Sequence, residues 1–367
     1  MTSKRNHPKI IALALVTIMC ITALPMIFSS DLSEAVDDTT ITITEIGPSS
    51  PQTYTFSAPV DHIVSFSKGY TNTAVKLNVF DKIVLMDSGS AYSDSGIVAT
   101  EGLADSMFIS TTSTNVPNVV IRMAELESAG SFDKDKDVVV CNSYSTTLVN
   151  TLRTAGYTVI GYYPKSYDQN VQITEDLGKL FGSDNYESVV QAMKDAPKKV
   201  ADKLSENGIN DENKVRAVSV STNKIQSTGS MGGTLIELGG GINVAADKNP
   251  GSGTSFASDP SFFAQNEIDV LFYSPHNGET ALEYVQEMGI NSDVKVVEIG
   301  NLWVSYGANV DDGLWGYAGS MYPEYFSTSG EVYDLNNNND DTVMIVAAAI
   351  VIVLIVGTAI YFVKFRQ

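Results

Sequence analysis

Residues 343–363 form an uninterrupted run without a single charged side chain. About 20 apolar residues are what a helix needs to cross a ~30 Å hydrocarbon core. The run is apolar on all sides, which sets it apart from a core helix with one polar face. Lys364 and Arg366 follow at once, and basic residues beside a span favour the cytoplasmic side. A transmembrane helix over 342–363 with a cytoplasmic tail 364–367 is therefore expected. The acidic, asparagine-rich stretch before it, within a linker at 331–341, reads as an extracellular tether.

The other end agrees. Lys4, Arg5 and Lys9 precede an apolar run over 10–28, the pattern of a secretory signal. Ser33 and Ala35 are small residues at the spacing a signal peptidase reads, giving a signal at 1–35. Two fates fit: cleavage after Ala35, or retention as a second anchor. Cys20 lies inside the apolar run, and Thr17-Ile18-Met19 lacks the small residues that precede a lipidated cysteine. With the signal removed only Cys141 remains, so no intramolecular disulfide can form. Cys141 reads as a small buried residue, or alternatively as a thiol nucleophile.

What remains, 36–341, must be an ectodomain that folds on its own core. The chain's 43% apolar and 18% charged content is that of a globular protein. Its formal net charge of −20 repels phosphate backbones, so nucleic acid is not expected as a partner.

The ectodomain reads as α/β. After an extension at 36–60, strand-like runs fall at 63–66, 82–86, 137–141 and 157–163, the first followed by a turn. Leu148, Val149, Leu152 and Ala155 share a helical face that Gly156 ends, completing a βαβ unit. A helix over 174–181 stops at Gly182. A longer one over 184–207 has Asp184 and Glu187 at capping-box spacing and an apolar stripe of Val189, Val190, Met193, Val200, Ala201 and Leu204. Pro197 should kink it or limit its first half. The pattern then restarts: strands at 214–220, 268–273 and 294–299, helices at 232–238, 279–288 and 310–325. The expected body is thus a first lobe at 61–183, a connecting helix at 184–209 and a second lobe at 210–330.

Several chemistries lack their residues. His7, His62 and His276 are the only histidines, too few for a multi-histidine zinc site. No nucleophile elbow or Ser-His-Asp order stands out. Gly229-Ser230-Met231-Gly232-Gly233-Thr234 suits an anion at a helix start but lacks the lysine of a phosphate loop. A tight turn with close backbone packing explains it equally well, and better explains Gly239-Gly240-Gly241. No catalytic residue, cofactor or protein-bound metal is expected, and the chain does not read as an enzyme.

Four stretches resemble the cobalamin and iron-siderophore class of substrate-binding proteins that serve ABC importers. His62 to Asn72 is similar to the family's opening strand and turn. Asp137-Val138-Val139-Val140 with 148–160 resembles its strand, helix, glycine, strand block. Thr228-Gly229-Ser230 through Leu238-Gly239-Gly240-Gly241-Ile242-Asn243-Val244 resembles the second-lobe motif, and 268–272 with Asn301-Leu302-Trp303 the closing strands. Lys68 stands where the family has proline and Asn72 where it has glutamate, and 96–117 does not match.

The resemblance implies two Rossmann-like α/β lobes joined by one long interdomain helix, with a metal chelate (ferric siderophore, haem or cobalamin) held between them. It implies a monomer that delivers the chelate to an ABC permease. Tail anchoring is a habit of archaeal-type receptors of this class. Ligand contacts are implied just after the strands: Ser67, Lys68, Tyr70, Ser88, Tyr92, Ser143 and Tyr144 in the first lobe, Thr228, Ser230, Met231, Phe256 and Trp303 in the second. Aromatic faces suit a flat complex, and each aromatic also has a core-packing reading. Glu237 falls near a position where the family docks on its transporter, or on a solvated helix face. A surface sensor or adhesion module of the same fold is the alternative function; an enzyme like the nitrogenase relatives is the weakest.

Overall fold

The computed structural model describes residues 39–47, 50–91, 103–248, 253–275, 279–300, 303–327 and 331–333. The signal segment 1–35, Tyr92, His276 and the span 342–363 lie outside them. Among the described residues no helix is long and apolar enough to cross a membrane. The described residues from Ile41 onward belong to one compact unit, which includes both lobes.

The first lobe is a five-stranded sheet in the order β5-β4-β3-β6-β7. Its strands are β3 (Ile63–Phe66), β4 (Ile83–Asp87), β5 (Phe108–Ile109), β6 (Val138–Asn142) and β7 (Val159–Tyr162), all parallel. Parallel strands are covered on both faces, which is why Val138 to Cys141 is continuously apolar and wholly buried. Helices α1 (Lys68–Lys76) and α4 (Tyr167–Phe181) cover one face, with Tyr70, Ala74, Ile173 and Leu177 in its core. Helices α2 (Val116–Ser128) and α3 (Thr146–Thr154) cover the other. Cys141 sits in this second layer at 0% exposure, and burial pushes its thiol up to about 12. A thiol that stays protonated is a poor nucleophile, so the packing reading holds.

The second lobe's sheet runs β11-β9-β8-β12-β13-β14, with β10 also on β8. Strands β8 (Arg216–Ser221), β10 (Ile242–Asn243), β12 (Val270–Ser274) and β13 (Lys295–Glu298) are parallel. Antiparallel strands β9 (Lys224–Gln226), β11 (Ser255–Ala257) and β14 (Glu331–Tyr333) extend it. Glu331–Tyr333, which composition places in the polar linker, therefore belongs to the sheet. Helices α5 (Tyr186–Glu206), α6 (Met231–Leu238) and α9 (Asn309–Met321) pack on one face; α7 (Pro260–Gln265) and α8 (Ala281–Met288) pack on the other. Phe272 stacks on Tyr317 at 3.9 Å between centroids in the first of these layers.

Helix α5 joins the lobes. Its 21 residues make it about 31 Å long at 1.5 Å per residue. The expected capping box does not form: Asn185 is the N-cap, without a side-chain cap bond, and its amide instead donates to the Lys76 carbonyl at 3.1 Å. Nor does Pro197 divide the helix. Proline cannot donate to the carbonyl four residues back, that of Met193. The Tyr167 hydroxyl donates to that carbonyl instead, at 3.1 Å, so the helix runs through.

Three further helices differ from expectation. The turn after β3 is helix α1. Helix α4 starts at Tyr167, not Thr174, because the Ser166 hydroxyl caps it by accepting from Gln169 N at 3.2 Å. The last helix stops at Met321, two residues before Pro323, where a proline disfavours helical backbone.

A two-stranded ribbon, β1 (Thr39–Thr44) and β2 (Thr53–Ala58), precedes the first lobe. Just past β1, Glu45 is buried against β7, accepting from Gly161 N at 2.6 Å and pairing with Arg153.

On α4, burial pushes the Asp176 carboxyl up to about 6, against the opposing hydrogen bond from Gln172. A raised carboxyl means the folded state holds a proton that the unfolded chain releases first, so stability falls as pH rises from about 4 to about 6. Asp176→Asn should therefore raise the melting temperature at pH 7 and leave it nearly unchanged at pH 4, as read by thermal unfolding at both values.

Candidate ligand-binding site

A cavity of about 540 Å³ opens where β3, β4 and β6 end. Parallel α/β sheets place ligands at the carboxyl ends of their strands, where loops and helix starts converge. Phe66 ends β3, Asp87 ends β4 and Asn142 ends β6, and all three line the cavity with Ser67, Lys68, Gly69 and Gly89. The facing wall is Val304, Ser305 and Tyr306, from the second-lobe segment between β13 and α9. The volume is within the range of small-molecule sites, roughly 300–1,000 Å³.

Lys68 gives the cavity its character. It is the first residue of α1, where the backbone N–H groups already carry partial positive charge, so a lysine there opposes the helix. Ser67, the N-cap, makes no side-chain cap bond to relieve those amides. Burial lowers the Lys68 pKa while the Asp87 carboxylate acts the other way. Among the described residues the Lys68 ammonium has no hydrogen bond or ion pair. The Asp87 carboxylate is engaged, accepting from Thr111 Oγ1 at 2.8 Å and from Gly89 N at 3.2 Å. The result is a partly desolvated cation at a helix start that lacks a side-chain cap, a setting that favours an anionic group.

Tyr306 closes the opposite side. Burial and the neighbouring Tyr163 push its hydroxyl's pKa up, with Asn142 opposing, so it stays a neutral hydrogen-bonding group. Its ring meets Tyr163 edge-on at 5.7 Å, and Tyr163 meets Tyr144 at 5.9 Å. Tyr144 is 76% exposed. The row runs from cavity wall to solvent and offers aromatic surface beside the charged end.

The structure brings Ser67 and Lys68 of the expected contacts into the cavity. Tyr70 is not available: it is 1% exposed and its hydroxyl donates to the Tyr162 carbonyl at 3.1 Å. Ser88 and Ser143 are half-buried beside cavity residues without lining it, and Tyr144 joins through the aromatic row. The second-lobe contacts are elsewhere. Thr228 donates to the Ala246 carbonyl at 2.9 Å. Ser230 is the N-cap of α6, accepting from Gly233 N at 3.0 Å, so the glycine-rich turn serves its own helix. Met231 packs on the second-lobe core and Phe256 on Phe262. Trp303 lies over α9, its indole filling the space that a side chain at Gly316 would need, with Tyr317 6.1 Å away. Glu237 is solvent-exposed on α6, its carboxyl raised by partial covering and by nearby Asp247.

Asp87, Asn142, Val304, Ser305 and Tyr306, with Phe66, Gly69 and Gly89, line the cavity but are not among the contacts expected from the sequence. Asp87 and Asn142 each stand one place before a chosen residue, Ser88 and Ser143, and Val304 one place after Trp303. Asp87 and Asn142 close their strands, while Ser88 and Ser143 already belong to the turns that follow, one residue past the lining. Among the described residues no cluster of histidine, cysteine and carboxylates could hold a metal ion by itself.

No family model matches the chain, and no curated protein matches it. The fold does match solved structures. Helicobacter pylori CeuE in a nickel–histidine complex aligns with a TM-score of 0.58 at 14% identity, over 78% of this chain and 90% of that one. A periplasmic heme-binding protein from Pseudomonas aeruginosa gives 0.54 at 13%, over 74% and 95%. The periplasmic vitamin B12 binding protein of Vibrio cholerae gives 0.51 at 15%, over 72% and 98%. The chain has the two-lobed periplasmic-binding-protein fold.

Proposed function

We propose that this protein is a membrane-tethered receptor that captures a metal chelate in the Lys68–Tyr306 cavity and delivers it to an ABC permease. The observation that carries the reading is the cavity itself. It lies at the strand ends of the first lobe, is walled by a second-lobe segment, and holds a half-buried cation that has no bonded partner among the described residues. The solved structures of similar fold include a nickel–histidine complex, a heme-binding protein and a vitamin B12 binding protein, which supports a chelate as the ligand class. A chelate supplies its own metal coordination, so the protein needs only to recognise the outside of the complex.

The apolar run 343–363 supports the tether. Holding the receptor beside its permease converts capture and delivery into a local encounter at high effective concentration. Full-length protein purified in mild detergent from metal-replete cells tests the reading. A metal-containing small molecule released on denaturation, seen by mass spectrometry, is expected. Metal-free protein in every preparation, with no thermal shift from any added chelate, would overturn it.

A further inference from the structure

We infer that Asn309 is a positioning residue that fixes the spacing between the two walls of the cavity, at the centre of a clamp formed by residues 307–312. This inference concerns the empty protein and stands apart from the identity of the ligand.

Asn309 is 0% exposed and uses its amide on both walls at once. Nδ2 donates to the carbonyl of Tyr306, on the second-lobe wall, at 2.8 Å. It also donates to the carbonyl of Gly69, on the first-lobe wall, at 3.1 Å. Its Oδ1 accepts from the Asn72 amide. One side chain thus joins both faces of the site, and its bonds to Gly69 and Asn72 are buried, where an unpaired group costs more than a pair gains.

Its neighbours fasten the same seam. Ala308 N donates to Thr73 Oγ1 at 3.0 Å, and Gly307 N donates to Asn170 Oδ1 at 2.7 Å. Lys76 Nζ reaches the Ala308 carbonyl at 3.2 Å and Asp312 at 2.6 Å. The Tyr167 hydroxyl, which also faces the Met193 carbonyl, shares its one proton with Asp311 at 3.1 Å. Two glycines permit the approach. Gly307 has φ +81° and a side chain there would collide with Thr73. A Cβ on Gly69 would lie 2.6 Å from the Tyr306 carbonyl. Helix α5 links the lobes at one place; this seam links them at a second, immediately behind Val304, Ser305 and Tyr306. A site fixed in this way is organised before its ligand arrives.

The test places spin labels on the full-length protein at Ile121→Cys on α2 and Leu282→Cys on α8, which are 58% and 42% exposed. Cys20→Ser removes a competing thiol, and Cys141 is buried. Without ligand, one narrow distance is expected. Asn309→Ala and Thr73→Val should each broaden the distribution, roughly twofold for Asn309→Ala as minor conformations become populated. Melting temperatures are measured alongside, since a residue that only stabilises the fold would lower them without broadening the distance. Two separate distances in the unsubstituted labelled protein would overturn the inference, as would folded variants with an unchanged distribution. If Asn309→Ala does not fold, Thr73→Val decides the matter.

Discussion

Lys68→Gln is expected to weaken chelate binding about 10- to 100-fold while leaving the protein as stable as before, or slightly more so. Hydrogen bonds to charged groups contribute about 1.5–3 kcal/mol, which sets the size of the binding loss. The stability change has the opposite sign because a positive charge in the first turn of α1 works against the helix by some tenths of a kcal/mol. A residue that burdens its own helix and is retained in a cavity is acting on something other than the fold. Titration calorimetry and thermal unfolding of the same two proteins separate the effects. Lys68→Arg should keep part of the affinity, since it preserves the charge.

Arg153→Met is expected to lower stability by about 3–5 kcal/mol, the usual cost of leaving one member of a buried ion pair behind. The Glu45 side chain has no solvent exposure, and Arg153 also donates to the Val159 carbonyl at 3.0 Å. Gly161 N and Gln52 N would still donate to the carboxylate, at 2.6 and 2.9 Å, but neither neutralises its charge. Glu45→Gln combined with Arg153→Met should recover much of the loss, because the group left behind is then neutral. Denaturant unfolding of the two single variants and the double variant reads the coupling directly. The same pair holds the ribbon to β7, so the single variant should also open 41–58 to proteolysis.

The strands were the most legible part of the sequence. Parallel strands buried on both faces are short apolar runs, and 63–66, 82–86 and 137–141 stand out from their polar flanks. Helix α1 was hidden because Gly69, Thr71, Asn72 and Thr73 are poor helix formers. Tertiary packing overrides that preference: Tyr70 anchors on Tyr162, and Gly69, Asn72 and Thr73 meet residues 306–309. The first two turns of α4 were hidden for a related reason. Asn170 reads as a surface residue, yet it is fully buried because its amide serves Gly307.

Of the contacts expected from the sequence, Ser67, Lys68, Ser88 and Ser143 on the first lobe fall in or within a residue of the cavity lining, whereas the described ones on the second lobe do not line it. Trp303 drew attention because it lies in the loop after the strand at 294–299, but a large aromatic is as useful to a core as to a ligand, and here it packs over α9. Tyr306 became visible only in three dimensions, where its neighbour Gly307 meets Asn170 across 137 residues of chain. Nothing local to Tyr306 announces that contact.

The central claim is that the Lys68–Tyr306 cavity binds a metal chelate. Its most direct test is calorimetric titration of the full-length protein with nickel–histidine, haemin, cyanocobalamin and a ferric catecholate, beside Lys68→Gln. The account predicts that one of these binds one-to-one at about 1 μM or tighter, near −8 kcal/mol, and that Lys68→Gln weakens it. Binding by none of them, or equal binding by both proteins, would contradict it.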